Sequence, residues 1–120
     1  MKKNYFMLMA LTAMLFFVSC KKDTTVAPQL NFSNNLTEGT AVNGEYTITG
    51  HITSAARLLK VTLTIEGQAT PFLVDETTAK NKNEYDFSYL VTGITANTYI
   101  LIDAYDQAGG KITLRFLIKK

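Results

Sequence analysis

Residues 59–66 read Leu59-Lys60-Val61-Thr62-Leu63-Thr64-Ile65-Glu66, and this alternation sets the fold class. Successive side chains of a β-strand point to opposite faces, so Leu59, Val61, Leu63 and Ile65 form an apolar row. Lys60, Thr62, Thr64 and Glu66 form the polar row behind it, and Gly67 closes the segment. On this register a charge at Leu63 falls in the core and unfolds the domain, whereas a charge at Thr62 meets water.

Working outward, no stretch after Leu30 keeps apolar residues at helical spacing, while the two-residue period recurs along the chain. Leu30 and Phe32 suggest a first edge strand, followed by a loop through Asn34-Asn35 and Glu38-Gly39. Tyr46, Ile48, Gly50 and Ile52 alternate with Thr47, Thr49, His51 and Thr53. Pro71 lacks an N–H to donate, which places Phe72 and Val74 at a sheet margin. Residues 75–84, rich in Thr, Asn and Lys, form the longest loop and the one expected to be least tied to the core. Tyr85, Phe87, Tyr89 and Val91 share one face of the next strand; Ile100, Ile102 and Ala104 follow, then Ile112, Leu114, Phe116 and Ile118 after the glycines at 109 and 110. About seven short antiparallel strands with turn signals between them predict an all-β chain, a single β-sandwich with Greek-key connections over residues 30–120.

The chain has 120 residues, 12 basic and 10 acidic, but this excess of positive charge is local. Lys2 and Lys3 precede an apolar run over residues 5–18, the pattern of a secretory leader too short to be a settled membrane span. Without those two lysines, 10 basic side chains face 10 acidic ones, so charge gives no support to nucleic-acid binding. Phe17-Val18-Ser19-Cys20 resembles the lipobox of bacterial lipoproteins, and Cys20 is the only cysteine of the chain. The resemblance implies removal of residues 1–19 and attachment of palmitate-type acyl chains to Cys20, which then anchors the protein in the bacterial outer membrane. Residues 20–29 form a short tether, and its Lys22-Asp23 pair resembles the surface-export tags of some Gram-negative lipoproteins. Exposure at the cell surface is therefore expected over the periplasmic side.

The run Ile100-Leu101-Ile102-Asp103-Ala104-Tyr105-Asp106-Gln107-Ala108-Gly109 is similar to the penultimate strand and turn of cadherin-like and other bacterial immunoglobulin-like domains. The matching positions are Ile102, Ala104, Asp106 and Gly109. That resemblance implies an immunoglobulin-like sandwich in which Asp106 accepts backbone N–H groups in the turn.

Chemistry is sparse. His51 is the single histidine and lies on an outward position. No serine elbow, phosphate loop or dinucleotide fingerprint is present. Asp75, Asp86, Asp103 and Asp106 invite a calcium test, yet the spacing lacks the carboxylate run of calcium-binding cadherin repeats. No cofactor is implied, and an enzyme is the weakest of the functional classes. Tyr99, Leu101 and Tyr105 are apolar or amphipathic on the face opposite Ile100, Ile102 and Ala104, where polar residues are the rule. Either the edge around Phe72 covers them, or they are a contact surface, extended by Asp75 and Glu76 of the long loop, for an envelope protein or a glycan. The expected function is thus a surface-anchored, non-enzymatic binding or adhesion lipoprotein; a structural accessory docked on another envelope protein is the alternative.

Overall fold

The computed structural model describes residues 26–120; the leader, Cys20 and the first residues of the tether lie outside them. The strands in chain order are β1 (Gln29–Phe32), β2 (Glu38–Thr40), β3 (Tyr46–Thr53), β4 (Leu58–Ile65), β5 (Leu73–Asp75), β6 (Glu84–Val91), β7 (Thr98–Asp106) and β8 (Lys111–Lys119). They make two sheets, one ordered β1-β3-β6 and the other β2-β8-β7-β4-β5. The chain crosses between sheets from β1 to β2, from β2 to β3, from β3 to β4, from β5 to β6 and from β6 to β7, giving an immunoglobulin-like β-sandwich.

The inward rows meet as the alternation requires. Ile48, Ile52 and Phe87 of one sheet face Val61, Leu63, Ile100, Ile102 and Ile118 of the other, all buried. Phe32 packs edge-on against Phe116 at 5.0 Å between ring centroids, and Phe87 stacks with Tyr89 at 5.5 Å. Burying a side chain the size of Phe87 contributes about 3 kcal/mol, so this cluster dominates stability without a disulfide. At Gly50 a Cβ would lie 2.5 Å from the Asn31 carbonyl oxygen and from the Phe87 ring, so only glycine lets β1 and Phe87 close over β3.

Three expectations need correction. An eighth strand exists, because residues 38–40, read as loop, pair with β8, and they do so in parallel. Leu59 is not inward: the ladder between β4 and β7 shifts between Leu58 and Lys60, a bulge that turns Leu58 into the core and leaves Leu59 40% exposed. Thr62 does not meet water. It lies between Val74 and Asp103 in the middle of a five-stranded sheet and is buried, with its hydroxyl unpaired among the described residues. A carboxylate at position 62 would meet Asp103, so position 62 rejects an acidic side chain as Leu63 does.

The described chain enters the sandwich at one defined end. Pro28 is buried, one residue before β1, and a methyl group on Gly110 would press against both Ala27 and the Asp106 carboxylate. The chain therefore joins the sandwich at the end that carries residues 54–57, 76–83 and 107–110. The opposite end carries the Asn43-Gly44 hairpin turn, whose two residues take the positive φ of 55° and 76° that such a turn requires, together with residues 66–71 and 92–97.

Candidate functional site

The outward surface of the five-stranded sheet is built from registered rows across β4, β7 and β8. Thr64 stands beside Leu101 and Arg115, Thr62 beside Asp103 and Thr113, and Lys60 beside Tyr105 and Lys111; Tyr99 sits opposite Leu117. The structure thus brings Tyr99, Leu101 and Tyr105 onto one outward face, with Tyr99 39% exposed and the other two half-buried. The Phe72 edge does not cover them. Their cover comes from long basic side chains of the neighbouring strands, which sequence reading missed because only the register shows which lysine meets which ring.

Arg115 lies flat on Tyr99, its guanidinium carbon 3.6 Å from the ring centroid. Its Nε also bonds Glu66 Oε2 at 2.7 Å, and a terminal nitrogen donates to Oε1 at 3.3 Å, so the fork is held from one side by a carboxylate and below by an aromatic face. Two ammonium groups approach Tyr105, Lys60 at 4.9 Å and Lys111 at 5.2 Å from the centroid. Lys111 is also 3.8 Å from Asp103, whose Oδ1 accepts the Thr113 hydroxyl. Such exposed pairs contribute little to stability, about 0–1 kcal/mol each, but they place three cationic heads beside two flat rings. This arrangement suits contact with a polar, partly planar partner, because it offers hydroxyl, ammonium and guanidinium donors on an apolar floor.

Asp75 and Glu76 do not extend this surface as expected. Asp75 pairs with Val61 and points inward, where it is buried; Glu76 is exposed but belongs to the loop at the tether end. Asp75 Oδ1 accepts the Thr77 and Thr78 N–H groups at 3.1 and 2.9 Å, and Oδ2 accepts the Tyr89 hydroxyl at 2.7 Å and the Tyr85 hydroxyl at 3.2 Å. Burial pushes this carboxyl's pKa up, but the hydrogen bonds from Thr78, Tyr89 and the loop N–H groups outweigh it and hold the group well below the usual carboxylate range. Burial together with Asp75 pushes the Tyr89 phenol far up. Nor is the loop loosely attached: Ala79 is fully buried, the Asn81 N–H donates to the Leu58 carbonyl at 2.8 Å, and Gln107 Nε2 donates to Asn81 at 2.6 Å.

The remaining candidates are dispersed. Asp106 accepts the Ala108 and Gly110 N–H groups at 2.9 and 2.6 Å, the turn role implied by the family resemblance. Asp86 lies on the outer face of the other sheet, bonded to His51 Nδ1 at 2.5 Å, which holds the imidazole pKa above its usual value against a smaller effect of burial. Asp75, Asp86, Asp103 and Asp106 are therefore not gathered at one end, and among the described residues no three His, Cys, Asp or Glu side chains converge as a metal site would need.

No protein-family model matches the chain, and no curated protein matches its sequence. Among solved structures, the fibronectin(III)-like modules of Clostridium thermocellum CbhA are similar, with a TM-score of 0.56 and 17% identity over 81% of this chain and 48% of that one. The chain spans about half the length of that structure. At this identity the likeness speaks for the sandwich fold alone.

Proposed function

We propose that this chain is a non-enzymatic binding or adhesion lipoprotein, held by acyl chains on Cys20 to the outer membrane of a Gram-negative bacterium and presented at the cell surface. The observation that carries the reading is the outward row of Tyr99, Leu101 and Tyr105 beneath Arg115, Lys60 and Lys111, a solvent-facing aromatic and cationic surface in a sheet whose inward row already supplies the core. The leader, Ser19 and the lone Cys20 support the anchor. The small catalytic inventory, with one histidine on an open sheet face, supports binding over turnover.

On this reading the domain stands on a tether of eight residues, 20–27, with a reach of at most about 30 Å. Its sheets run away from the anchor, so the outward face of β7 extends from the anchored end at Asp106 to the far end at Thr98, open to a partner lying alongside. A Tyr99→Ser, Tyr105→Ser double variant is expected to melt within a few degrees of the parent, because neither ring is in the core, and to lose most of the retention of the parent on envelope extracts or immobilised cell-surface glycans. Unchanged retention on both would remove the face from the proposal. Retention lost on the extract alone identifies a docking protein as the partner, the accessory-subunit alternative.

A further inference from the structure

A second surface, separate from the Tyr99 face, is defined by which strand edges the fold leaves open. Among the described residues the sandwich has four edge strands, and three of them are short: β1 has four residues, β2 three and β5 three. The fourth, β6, has eight and pairs with β3 without a break from Tyr46↔Val91 to Thr53↔Glu84. Its other side carries no backbone partner among the described residues. Edge strands are ordinarily blunted by proline, lysine, a bulge or brevity, because an open row of N–H and C=O groups is a template for another strand. β6 has no proline, lysine or bulge and is not short; its blunting charges, Glu84 and Asp86, are both acidic and lie at one end, leaving residues 87–91 without any.

Beside this edge lies an apolar cleft of about 450 Å³ between β6 and β5, lined by Ile65, Phe72, Leu73, Leu90, Val91 and Ile94. Leu90 is 53% and Phe72 44% exposed at its rim. Towards the tether the gap between the same two strands is closed by the Asp75 carboxylate bonded to Tyr85 and Tyr89, so the cleft is open only at the far end. A strand added next to β6 would turn alternate side chains inward, and one of them would enter this cleft.

Charge specifies the other side of that strand. The outward row of β6 is Glu84, Asp86, Ser88 and Leu90, acidic in its tether-side half and uncharged in its far half, and β1, β3 and β6 contain no lysine or arginine. Among the described residues, His51 is the one basic side chain paired with them, 2.5 Å from Asp86 and 3.7 Å from Glu84. A second copy of this chain paired through its own β6 would add two more carboxylates to the same face. We propose that the β6 edge accepts an extended segment of a partner protein by strand addition, with basic residues on the segment's outward side and a bulky apolar residue in the cleft; the backbone ladder gives affinity and the alternation gives selectivity.

The test uses residues 26–120 and a capped decapeptide in which lysine and valine alternate, followed by amide shifts and hydrogen exchange. The peptide is expected to perturb and protect amides of residues 84–91. Two analogues, methylated on every valine nitrogen or on every lysine nitrogen, separate pairing from charge. The one that blocks the N–H groups facing β6 binds at least tenfold more weakly, while the other keeps its affinity. Leu90→Lys, at an exposed position that leaves the melting temperature within a few degrees, weakens the parent peptide at least tenfold, and Glu84→Gln with Asp86→Asn weakens it severalfold. Equal binding of both methylated analogues, perturbation confined to Tyr99, Tyr105 and Arg115, or self-association through β6 in the absence of peptide would each overturn the proposal.

Discussion

An Asp75→Ala variant is expected to melt roughly 15 °C below the parent, although residue 75 lies in a three-residue strand at a sheet edge. The size follows from what the carboxylate holds. Removing it leaves the buried Tyr89 hydroxyl, the half-buried Tyr85 hydroxyl, and the Thr78 hydroxyl and Thr77 and Thr78 N–H groups of the exposed loop without their acceptor. Unpaired buried donors cost about 1–3 kcal/mol each before relaxation, and with the exposed loop partly rehydrating, a net loss of about 3 kcal/mol is expected. Tyr89→Phe removes one donor and leaves the acceptor satisfied, so it costs about 1 kcal/mol. The pH dependence has a defined sign. Asp75 has a depressed pKa in the folded state, so its contribution is present in full above the ordinary aspartate value and is lost as the pH falls below about 4. Thermal melts from pH 7 to pH 2 check this: the parent loses stability along that acid limb more steeply than Asp75→Ala does. Parallel limbs would show that the carboxylate is not the group that links the loop to the core.

A Cys20→Ala variant is expected to move almost wholly from the membrane to the soluble fraction of the cell. Two or three acyl chains, at about 0.8 kcal/mol per buried CH₂, bind a bilayer essentially permanently, whereas one chain or a bare thiol does not. Once the leader is removed, the residues that follow Cys20 are mostly polar and the basic and acidic side chains are equal in number, so the acyl chains carry the membrane affinity. Fractionation after a high-salt wash, with mass spectrometry of the mature N-terminus, is the check. Retention of the alanine variant on membranes, or an unmodified Cys20 thiol in the parent, would contradict the lipoprotein reading.

The sandwich was legible because its strands carry strict alternation wherever one face alone is buried. Tyr46, Ile48, Gly50 and Ile52 on β3 and Ile112, Leu114, Phe116 and Ile118 on β8 all lie on the rows assigned to them. Alternation lost its meaning where a second influence acted. The bulge at Leu58 and Lys60 reverses the first residues of β4, and nothing in the sequence marks it. β2 is three residues long and pairs in parallel with the distant β8, so neither its period nor a hairpin turn could announce it; Gly39 leaves room there for the tip of the Tyr46 ring. Residues 75–84 read as a free loop because they are polar, yet their polarity is spent inward on Asp75 and on the Leu58 carbonyl. Of the candidate surface, the aromatic row was visible from Tyr99, Leu101 and Tyr105 alone. Its cationic cover was not, because Arg115 and Lys111 reach the rings only through the register of β7 with β8.

The outward face of β7 as the contact surface is tested most directly by photocrosslinking in intact cells. p-Benzoylphenylalanine is placed at Tyr99, with Asn31 on β1, at the edge of the opposite sheet away from β6, as the control. Both positions are exposed and neither contributes to the core, so both variants should fold and anchor alike. The account predicts a discrete adduct from position 99 and none from position 31. Adducts of equal yield from both positions, or none from position 99 in cells that display the anchored protein, would contradict it.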